Sequence, residues 1–330
     1  INNFSYMKER LVKFTCVAMA LVCFANASIY MLSYKRYDSI NMISIGQQEA
    51  ILLDINKKKV LIDTAGDIMG SSYSYDRTLK EVLKNAHIDA LDLVIISHFD
   101  ADHAGNLTYL LDDFKVKNIC FYKDAAPDDI KNKLVALQVN YIDPNNTRSI
   151  DLGNASYIKI LKGNKMLKGN SKSLLCELNY NNTKVLFTGD IEEEAEHYYL
   201  REVSKIDILK VAHHGSKTSS KKEFLAKTMP KQAIISCGLN NPYGHPHQET
   251  LDNFKAIGTR VYRTDKQGMI SVILDNGTYE LKTFYDEYYK ALDYKKKYIF
   301  LLSLISIAFS YIISIIIDDY KKYGDMINEL

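Results

Sequence analysis

The stretch "SHFDADHAG" at residues 97–105 decides the fold, because it concentrates two histidines and two aspartates in six consecutive positions after an apolar run. The preceding run "LDLVIIS" has the composition of a buried strand. The loop after this strand therefore carries the metal-capable side chains His98, Asp100, Asp102 and His103. Mixed imidazole and carboxylate ligands favour zinc, manganese or iron over calcium. The stretch predicts a metal site at a strand end.

Three later loops carry similar side chains, each after an apolar run. "KVLFTGD" ends in Asp190, "ILKVAHHGS" contains His213 and His214, and "YGHPH" contains His245 and His247. A rigid sheet can hold residues at its strand ends in a defined geometry. We therefore expect the four loops to converge on one site. Two ions about 3.5–4 Å apart, bridged by a carboxylate, form a clamp for in-line attack on a phosphoester or acyl centre.

Residues 38–285 read as one continuous globular stretch of alternating strands and helices. Strands are predicted early at "NMISI", "AILLDI" and "KVLIDT", and later at "NICFY", "IDILKVA" and "QAIIS". Helices are predicted at 76–86, after Gly105, after Pro127, and at 191–203, 220–227 and 247–257. Interposed helices at both ends and a β-rich centre predict a layered α/β domain with two sheets. The five cysteines form no C-x-x-C pair, so neither a disulfide framework nor a thiolate zinc site is predicted.

An ordered set of motifs extends over nearly the whole of this stretch. They are "ISIGQQEAILL", "LIDTAGD", "SHFDADHAGNL", "KSLLCEL", "VLFTGDIE", "ILKVAHHGSKTSS", "AIISCGLNNPYGHPH" and "VYRTDKQGMI". The set resembles the metallo-β-lactamase fold and, within it, the hydrolase domain at the C-terminal end of ComEC-type DNA-uptake channel proteins. The resemblance implies an αββα sandwich with a dinuclear metal site between the upper edges of its sheets.

The same resemblance implies how the ligands are shared between two divalent ions, zinc or manganese. His98 and Asp100 would bind one ion, Asp102 and His103 the other, and Asp190 would bridge them. His213 or His214 would complete the first site and His245 the second, and the choice within the histidine pair stays open. The residues expected to carry catalysis are Asp190, Asp102 and His214.

Three further residues are expected beside the ligands. Asp63 would orient the metal-motif loop through hydrogen bonds. Ser173 stands where the general fold has an additional histidine. His247 is expected next to the ligands rather than among them.

The resemblance implies phosphodiester hydrolysis, with DNA, most simply the single strand that is not imported, as substrate. A net charge of +2 gives no global argument for a nucleic-acid partner, so such affinity must be local. Candidate contacts to a phosphate backbone are Lys162, Lys165, Lys168 and Lys217, although a solvated face explains them better, since lysine is frequent throughout the chain. Two alternatives remain: an extracytoplasmic hydrolase of a cell-envelope phosphoester, and a non-catalytic module that binds DNA or a channel protein.

Two apolar segments, at residues 14–32 and 298–317, have the length of membrane spans. The predicted organisation is a signal-anchor or transmembrane segment at 1–37, the hydrolase domain at 38–285, and a transmembrane helix with a tail at 286–330. Lysine and arginine counts beside the two spans do not set the orientation. Residues 7–28 have the outline of a Sec signal, which would export the central domain. We therefore expect a cell-membrane protein with an extracytoplasmic hydrolase domain, working with a separate DNA-uptake channel protein.

Overall fold

The structure, a computed structural model, describes residues 36–66, 74–164 and 166–293, with isolated positions at 13, 24, 28, 295–297, 299, 300 and 303. The chain divides into the units Ile1–Tyr37 and Asp38–Leu330, and every element below lies in the second. Lys165 lies outside the described residues, and so, apart from these isolated positions, do the predicted spans at 14–32 and 298–317 and the signal-like segment at 7–28. Within the described residues, no helix is both long and apolar enough to cross a bilayer.

The strands follow the apolar runs of the sequence. In chain order they are β1 (Asp38–Met42), β2 (Ile51–Ile55), β3 (Lys58–Ile62), β4 (Ala90–Leu91), β5 (Leu93–Ile95), β6 (Lys115–Val116), β7 (Asn118–Cys120), β8 (Asn140–Ile142), β9 (Ser149–Gly153), β10 (Ser156–Leu161), β11 (Leu175–Tyr180), β12 (Thr183–Phe187), β13 (Ile208–Lys210), β14 (Gln232–Ile235), β15 (Arg260–Arg263), β16 (Ile270–Asp275) and β17 (Thr278–Thr283).

Two mixed sheets contain fifteen of these strands, and β4 and β6 pair separately in a two-stranded sheet. The first has eight strands in the order β17-β16-β1-β2-β3-β5-β7-β8, and the second has seven in the order β15-β14-β13-β12-β11-β10-β9. In the first sheet the strands from β3 to β8 run parallel, and in the second those from β12 to β15 do. Parallel neighbours place several carboxyl ends at one edge of each sheet, where loops can meet.

The helices cover the outer faces of the sheets. They are α1 (Leu79–Asn85), α2 (Ala101–Ala104), α3 (Leu107–Asp113), α4 (Asp128–Ala136), α5 (Glu193–Tyr199), α6 (Lys222–Thr228), α7 (Gln248–Ala256) and α8 (Thr264–Gln267), with short 3-10 turns at Tyr75–Arg77, Gly169–Lys172 and Ala212–Gly215. Residues 284–293 are also helical, and they are mostly exposed.

Three apolar cores hold the layers together. In β5, Leu93 and Ile95 face the core between the two sheets, whereas Val94 faces the core between the first sheet and its helices. In β12, Val185 and Phe187 face the core between the sheets, and the intervening side chain faces a third core under α5, α6 and α7. This alternation follows from the two-residue period of a strand. The predicted αββα sandwich is confirmed.

Most predicted elements are found with shifted ends. The helix expected at 76–86 begins as a 3-10 turn and is α-helical only over Leu79–Asn85. The strand expected at "NMISI" ends at Met42, although Ile43 and Ile45 are buried. These two isoleucines are apolar because they pack in the helix-facing core beyond the end of the strand.

Candidate metal centre

Loops at the carboxyl ends of parallel strands in both sheets meet at one edge of the sandwich. The loops after β3 and β5 come from the first sheet, and those after β12, β13 and β14 come from the second. Two inter-loop bonds hold the metal-motif loop: the Thr64 N–H donates to His103 O at 2.6 Å, and the Glu49 N–H donates to Asp102 O at 3.0 Å. The sandwich therefore brings together residues that are far apart in sequence.

Four predicted ligands form a tight cluster at this edge. One ligand atom each from Asp102, His103, Asp190 and His214 lies within 4.8 Å of all the others. Asp102 Oδ2 is 3.2 Å from His214 Nε2, and His103 Nε2 is 3.2 Å from Asp190 Oδ1. His214 Nε2 is also 3.8 Å from Asp190 Oδ2. His214 thus lies with Asp102 and His103, the pair that the sequence assigned to the other ion.

His98 and Asp100 lie beside this cluster. The His98 ring centroid is 4.2 Å from that of His103, and His98 Nε2 is 3.7 Å from Asp100 Oδ2. The Asp100 side chain is 62% exposed, so it stands at the mouth of the site. The pair therefore lies at the edge of the cluster, with His98 buried and Asp100 exposed.

His213 and His245 line the other side of the cluster. His213 Nε2 lies 3.9 Å from Asp190 Oδ2, and His213 Nδ1 lies 3.5 Å from Glu192 Oε1. The ring of His245 is 5.6 Å from that of His213 and 6.5 Å from that of His214. His245 Nδ1 is 3.2 Å from Gln47 Nε2, an interaction that orients the imidazole.

His247 lies next to His245, with ring centroids 4.9 Å apart. Its Nδ1 accepts the Lys217 N–H at 3.1 Å, so it fastens the loop that follows the histidine pair.

Of the predicted phosphate contacts, Lys168 is exposed and Lys162 is half-buried.

Asp63 and Ser173 hold ligands in place. The Asp63 carboxylate accepts the backbone and hydroxyl donors of Ser97 at 2.7 Å each and lies 2.7 Å from His103 Nδ1. The Asp190 N–H donates to Ser173 Oγ at 3.2 Å. Gly189, with φ +50°, lets this loop approach, because a Cβ there would lie 2.9 Å from the Cβ atoms of Ser173 and Ser97.

A buried ion pair beneath the centre was not anticipated from the sequence. Lys210 Nζ is 2.7 Å from Glu49 Oε2, and both side chains are 1% exposed. Burial by itself would lower the pKa of Lys210, but the charges of Glu49, Asp190 and Asp63 raise it above its usual value. The sequence feature that could have revealed this ion pair is the lysine inside the apolar run "ILKVA", because a lysine is seldom buried without a partner.

The charges of the cluster stabilise one another. Burial alone would lower the pKa of His103, but Asp190 and Asp63 raise it well above the usual value. Burial would raise the pKa of Asp190, yet the charges of His103 and His214 keep it well below the usual range. Burial and the neighbouring histidines lower the pKa of His245 to about 4. The site is thus built for closely spaced opposite charges.

The residues present fit divalent metal ions. Among the described residues, buried side-chain atoms without a hydrogen-bond partner include Nε2 of His98, Nε2 of His103 and Oδ1 of Asp190. Such buried acceptors are costly unless a cation or donor meets them. The Nδ1 atoms of His103 and His214 contact Asp63 and the carbonyl of Ser236, the usual outer partners of metal-binding imidazoles. The His/Asp cluster on this fold therefore suggests a dinuclear metal site.

Comparisons with known proteins agree with the motif set. Residues 44–239 match the family model described as the Metallo-beta-lactamase superfamily. ComE operon protein 3 of Bacillus subtilis is 32% identical over 270 residues, covering 75% of this chain and 34% of that protein. Recombination protein 2 of Haemophilus influenzae is 28% identical over 276 residues, covering 80% and 32%. Competence protein ComA of Neisseria gonorrhoeae is 23% identical over 251 residues, covering 72% and 33%.

The chain therefore spans about a third of the length of these relatives. The predicted resemblance to the metallo-β-lactamase fold and to competence proteins of the ComEC type is confirmed.

Proposed function

This chain belongs to the metallo-beta-lactamase superfamily, and from that premise we propose that it is a divalent-metal phosphodiesterase that cleaves DNA, preferably single-stranded, during DNA uptake. The observation that carries the proposal is the set of four ligand atoms from Asp102, His103, Asp190 and His214 within 4.8 Å of one another. The relative named Competence protein ComA supports DNA as the substrate.

Zinc and manganese both suit the ligands, since imidazole accepts either ion and the many carboxylates favour the harder manganese. When bound, the ions would supply Lewis-acid activation of water and would neutralise charge on the phosphoryl oxygens. Asp102, His103 and His214 would hold one ion, His98 and Asp100 would contribute to the other, and Asp190 would contact both. His213 and His245 are the remaining candidate ligands.

The chain's own residues keep this site ready. Asp63 holds Nδ1 of His103, so that Nε2 points toward Asp190. The carbonyl of Ser236 lies 2.8 Å from His214 Nδ1, which likewise turns Nε2 inward. Rings fixed in this way need no reorganisation when charge develops in the transition state.

The location is part of the proposal. We propose that segments 14–32 and 298–317 tether the chain to the cell membrane and that the hydrolase domain lies outside the cytoplasm, where incoming DNA would reach it. A separate channel protein would then carry the surviving strand. The apolar composition of the two segments and the signal-like outline at 7–28 support this arrangement.

The test is hydrolysis by the full chain with Mn²⁺ or Zn²⁺. A single-stranded oligonucleotide and bis(p-nitrophenyl) phosphate serve as substrates, and Asp190→Asn is compared with Asp112→Asn, an exposed carboxylate paired with Lys133. We expect strand cleavage that Asp190→Asn abolishes and Asp112→Asn retains. Turnover of the small diester without strand cleavage would favour the cell-envelope phosphoesterase. DNA binding without any hydrolysis would favour the non-catalytic module.

A further inference from the structure

We propose that a trench running from the metal centre past Lys172 holds the nucleotides on one side of the scissile phosphate. The proposal rests on the phosphodiesterase function above and names the part of the surface that receives the chain of the substrate. The trench is defined by Tyr122, Lys123, Tyr141, Asn164 and Lys172.

Two adjoining cavities form the path. The first, of about 240 Å³, lies against the ligands His98 and Asp100. The second, of about 500 Å³, is the trench itself. Both have Tyr122 and Lys172 in their walls, so the two cavities adjoin at these residues, and the proposed path crosses from one to the other there. The trench lies within the size range of small-ligand pockets, about 300–1,000 Å³.

The walls of the trench suit a single nucleic-acid strand. Lys172 stands at the junction of the two cavities, and Lys123 Nζ lies 5.8 Å from the ring centroid of Tyr141. The Tyr141 hydroxyl donates to Phe121 O at 2.9 Å, which fixes the ring in the wall. Cations that track phosphates next to an aromatic ring that stacks on a base are the usual elements of single-strand binding.

The acidic residues of the trench already have partners. Asp124 forms an ion pair with Lys172. The carboxylate of Asp143 accepts the Asn145 N–H at 2.9 Å and the side-chain amide of Asn146 at 2.7 Å. An arriving phosphate would replace Asp124 as the partner of Lys172, in an exposed pair that costs little to exchange.

A mainly acidic cavity beside His213 disfavours a polyanion. This cavity, of about 570 Å³, is lined by Glu192, Glu193, Glu194 and Glu249, with Lys217 and Lys221 as the basic residues in its wall. Lys221 lies in this cavity, but its Nζ is already 3.7 Å from carboxylates of both Glu193 and Glu249. A phosphodiester chain bound at the metals would therefore extend toward Lys172 rather than along this acidic wall.

The experiment measures binding of a fluorescent single-stranded oligonucleotide by the full chain, by anisotropy, with Ca²⁺ in place of the active metal. Lys172→Gln is compared with Lys133→Gln, whose ion pair with Asp112 has side chains 23% and 61% exposed, close to the 31% and 68% of the Lys172 pair. We expect Lys172→Gln to weaken binding about tenfold, the value of one charge-assisted phosphate contact. Lys133→Gln and Lys172→Arg should bind as the wild type does.

Salt dependence separates a phosphate contact from a structural role. Loss of one contact to a single strand lowers the slope of log K against log salt concentration by about 0.7. Lys172→Gln should show this change in slope, whereas Lys133→Gln should keep the slope of the wild type. If Lys172→Gln and Lys133→Gln bind the oligonucleotide with equal affinity and equal salt dependence, the proposal that the trench binds DNA is wrong. A wild-type chain that binds through Lys172 but cleaves nothing would instead refute the phosphodiesterase function.

Discussion

Lys210 Nζ lies 2.7 Å from Oε2 of Glu49, although 161 positions separate the two residues in the chain. The pair ties the loop after β1 to the end of β13, directly beneath the metal centre. Glu49 also accepts the Ala65 N–H at 2.7 Å through its carbonyl and donates its own N–H to Asp102 O at 3.0 Å. One buried pair thus connects both sheets to the metal-motif loop.

Glu49→Gln should destabilise the protein by about 3–5 kcal/mol, because it leaves a buried lysine charge without its partner. The double variant Glu49→Leu with Lys210→Met should cost less than either single change, since apolar pairs can replace a buried ion pair. Urea denaturation gives these free energies of unfolding. Asp112→Asn, which breaks an exposed pair, is the control and should cost at most about 1 kcal/mol. If Glu49→Gln lowered the free energy of unfolding no more than this control does, water would have to reach the pair.

Asp63→Asn should weaken metal binding about 10- to 100-fold, since an amide is a poorer partner for the Nδ1–H of His103 than a carboxylate. Metal affinity is measured by competition with a chromophoric chelator. The matched control is Asp92→Asn, because Asp92 also accepts a backbone N–H, that of Lys59, but lies away from the ligands. Equal metal affinities in the two variants would contradict an orienting role for Asp63.

The sequence predicted the layers and the convergence of the loops better than it predicted individual partners. Apolar runs followed by clustered histidines and aspartates indicate strand ends, and strand ends of a sandwich meet at one edge. The partner of Lys210 was not predictable, because no local pattern links Glu49 to a lysine in another sheet. The position of Lys172 in the trench was unpredictable for the same reason, because its contact with Asp124 depends on how two distant loops pack.

The choice between the adjacent histidines also depended on backbone geometry. Both have positive φ, 49° for His213 and 52° for His214, and no periodic pattern indicates where side chains point in that conformation. In the structure His214 is buried within the cluster, whereas the His213 side chain is 23% exposed.

His214→Ala should therefore remove more bound metal than His213→Ala. His214 Nε2 lies 3.2 Å from Asp102 Oδ2, whereas His213 Nε2 comes no nearer than 3.9 Å to a carboxylate oxygen of the cluster, Oδ2 of Asp190. Elemental analysis of the purified variants gives the metal content per chain. His197→Ala, which alters an exposed helical histidine, is the control. A greater loss of metal in His213→Ala would assign the ligand role to that residue.

The stability of the metal-free protein should fall as pH rises above about 6.5, the pKa of histidine in an unfolded chain. The folded-state pKa of His103 is raised, so its protonation stabilises the fold fully below 6.5, and that contribution is lost as pH rises through the folded-state value. His245, with a pKa of about 4, titrates below this window.

Unfolding by urea in the presence of a chelator, at a series of pH values, measures this effect. His103→Asn should flatten the decline, and added metal should flatten it too, because a bound cation replaces the proton. An equal decline in wild type and His103→Asn would mean that another group carries the linkage.

Gly189→Ala should disturb the centre more than the same change at Gly169. The two glycines have nearly the same backbone conformation, with φ +50° and +51°, so the cost of placing an L-residue in the left-handed region, about 1–2 kcal/mol, is common to both. They differ in the room for a side chain. A Cβ at 189 would lie 2.9 Å from the Cβ atoms of Ser173 and Ser97, whereas one at 169 would have nothing within 4 Å. The clash should add about 1–3 kcal/mol.

Because Gly189 precedes Asp190, the backbone shift that relieves this clash should also displace the Asp190 carboxylate. Gly189→Ala is therefore expected to lose metal affinity as well as stability, whereas Gly169→Ala should lose only stability. Urea denaturation and chelator competition on both variants separate the two effects. If the variants lose equal stability and both keep their metal affinity, the close approach of Ser97 and Ser173 does not position Asp190.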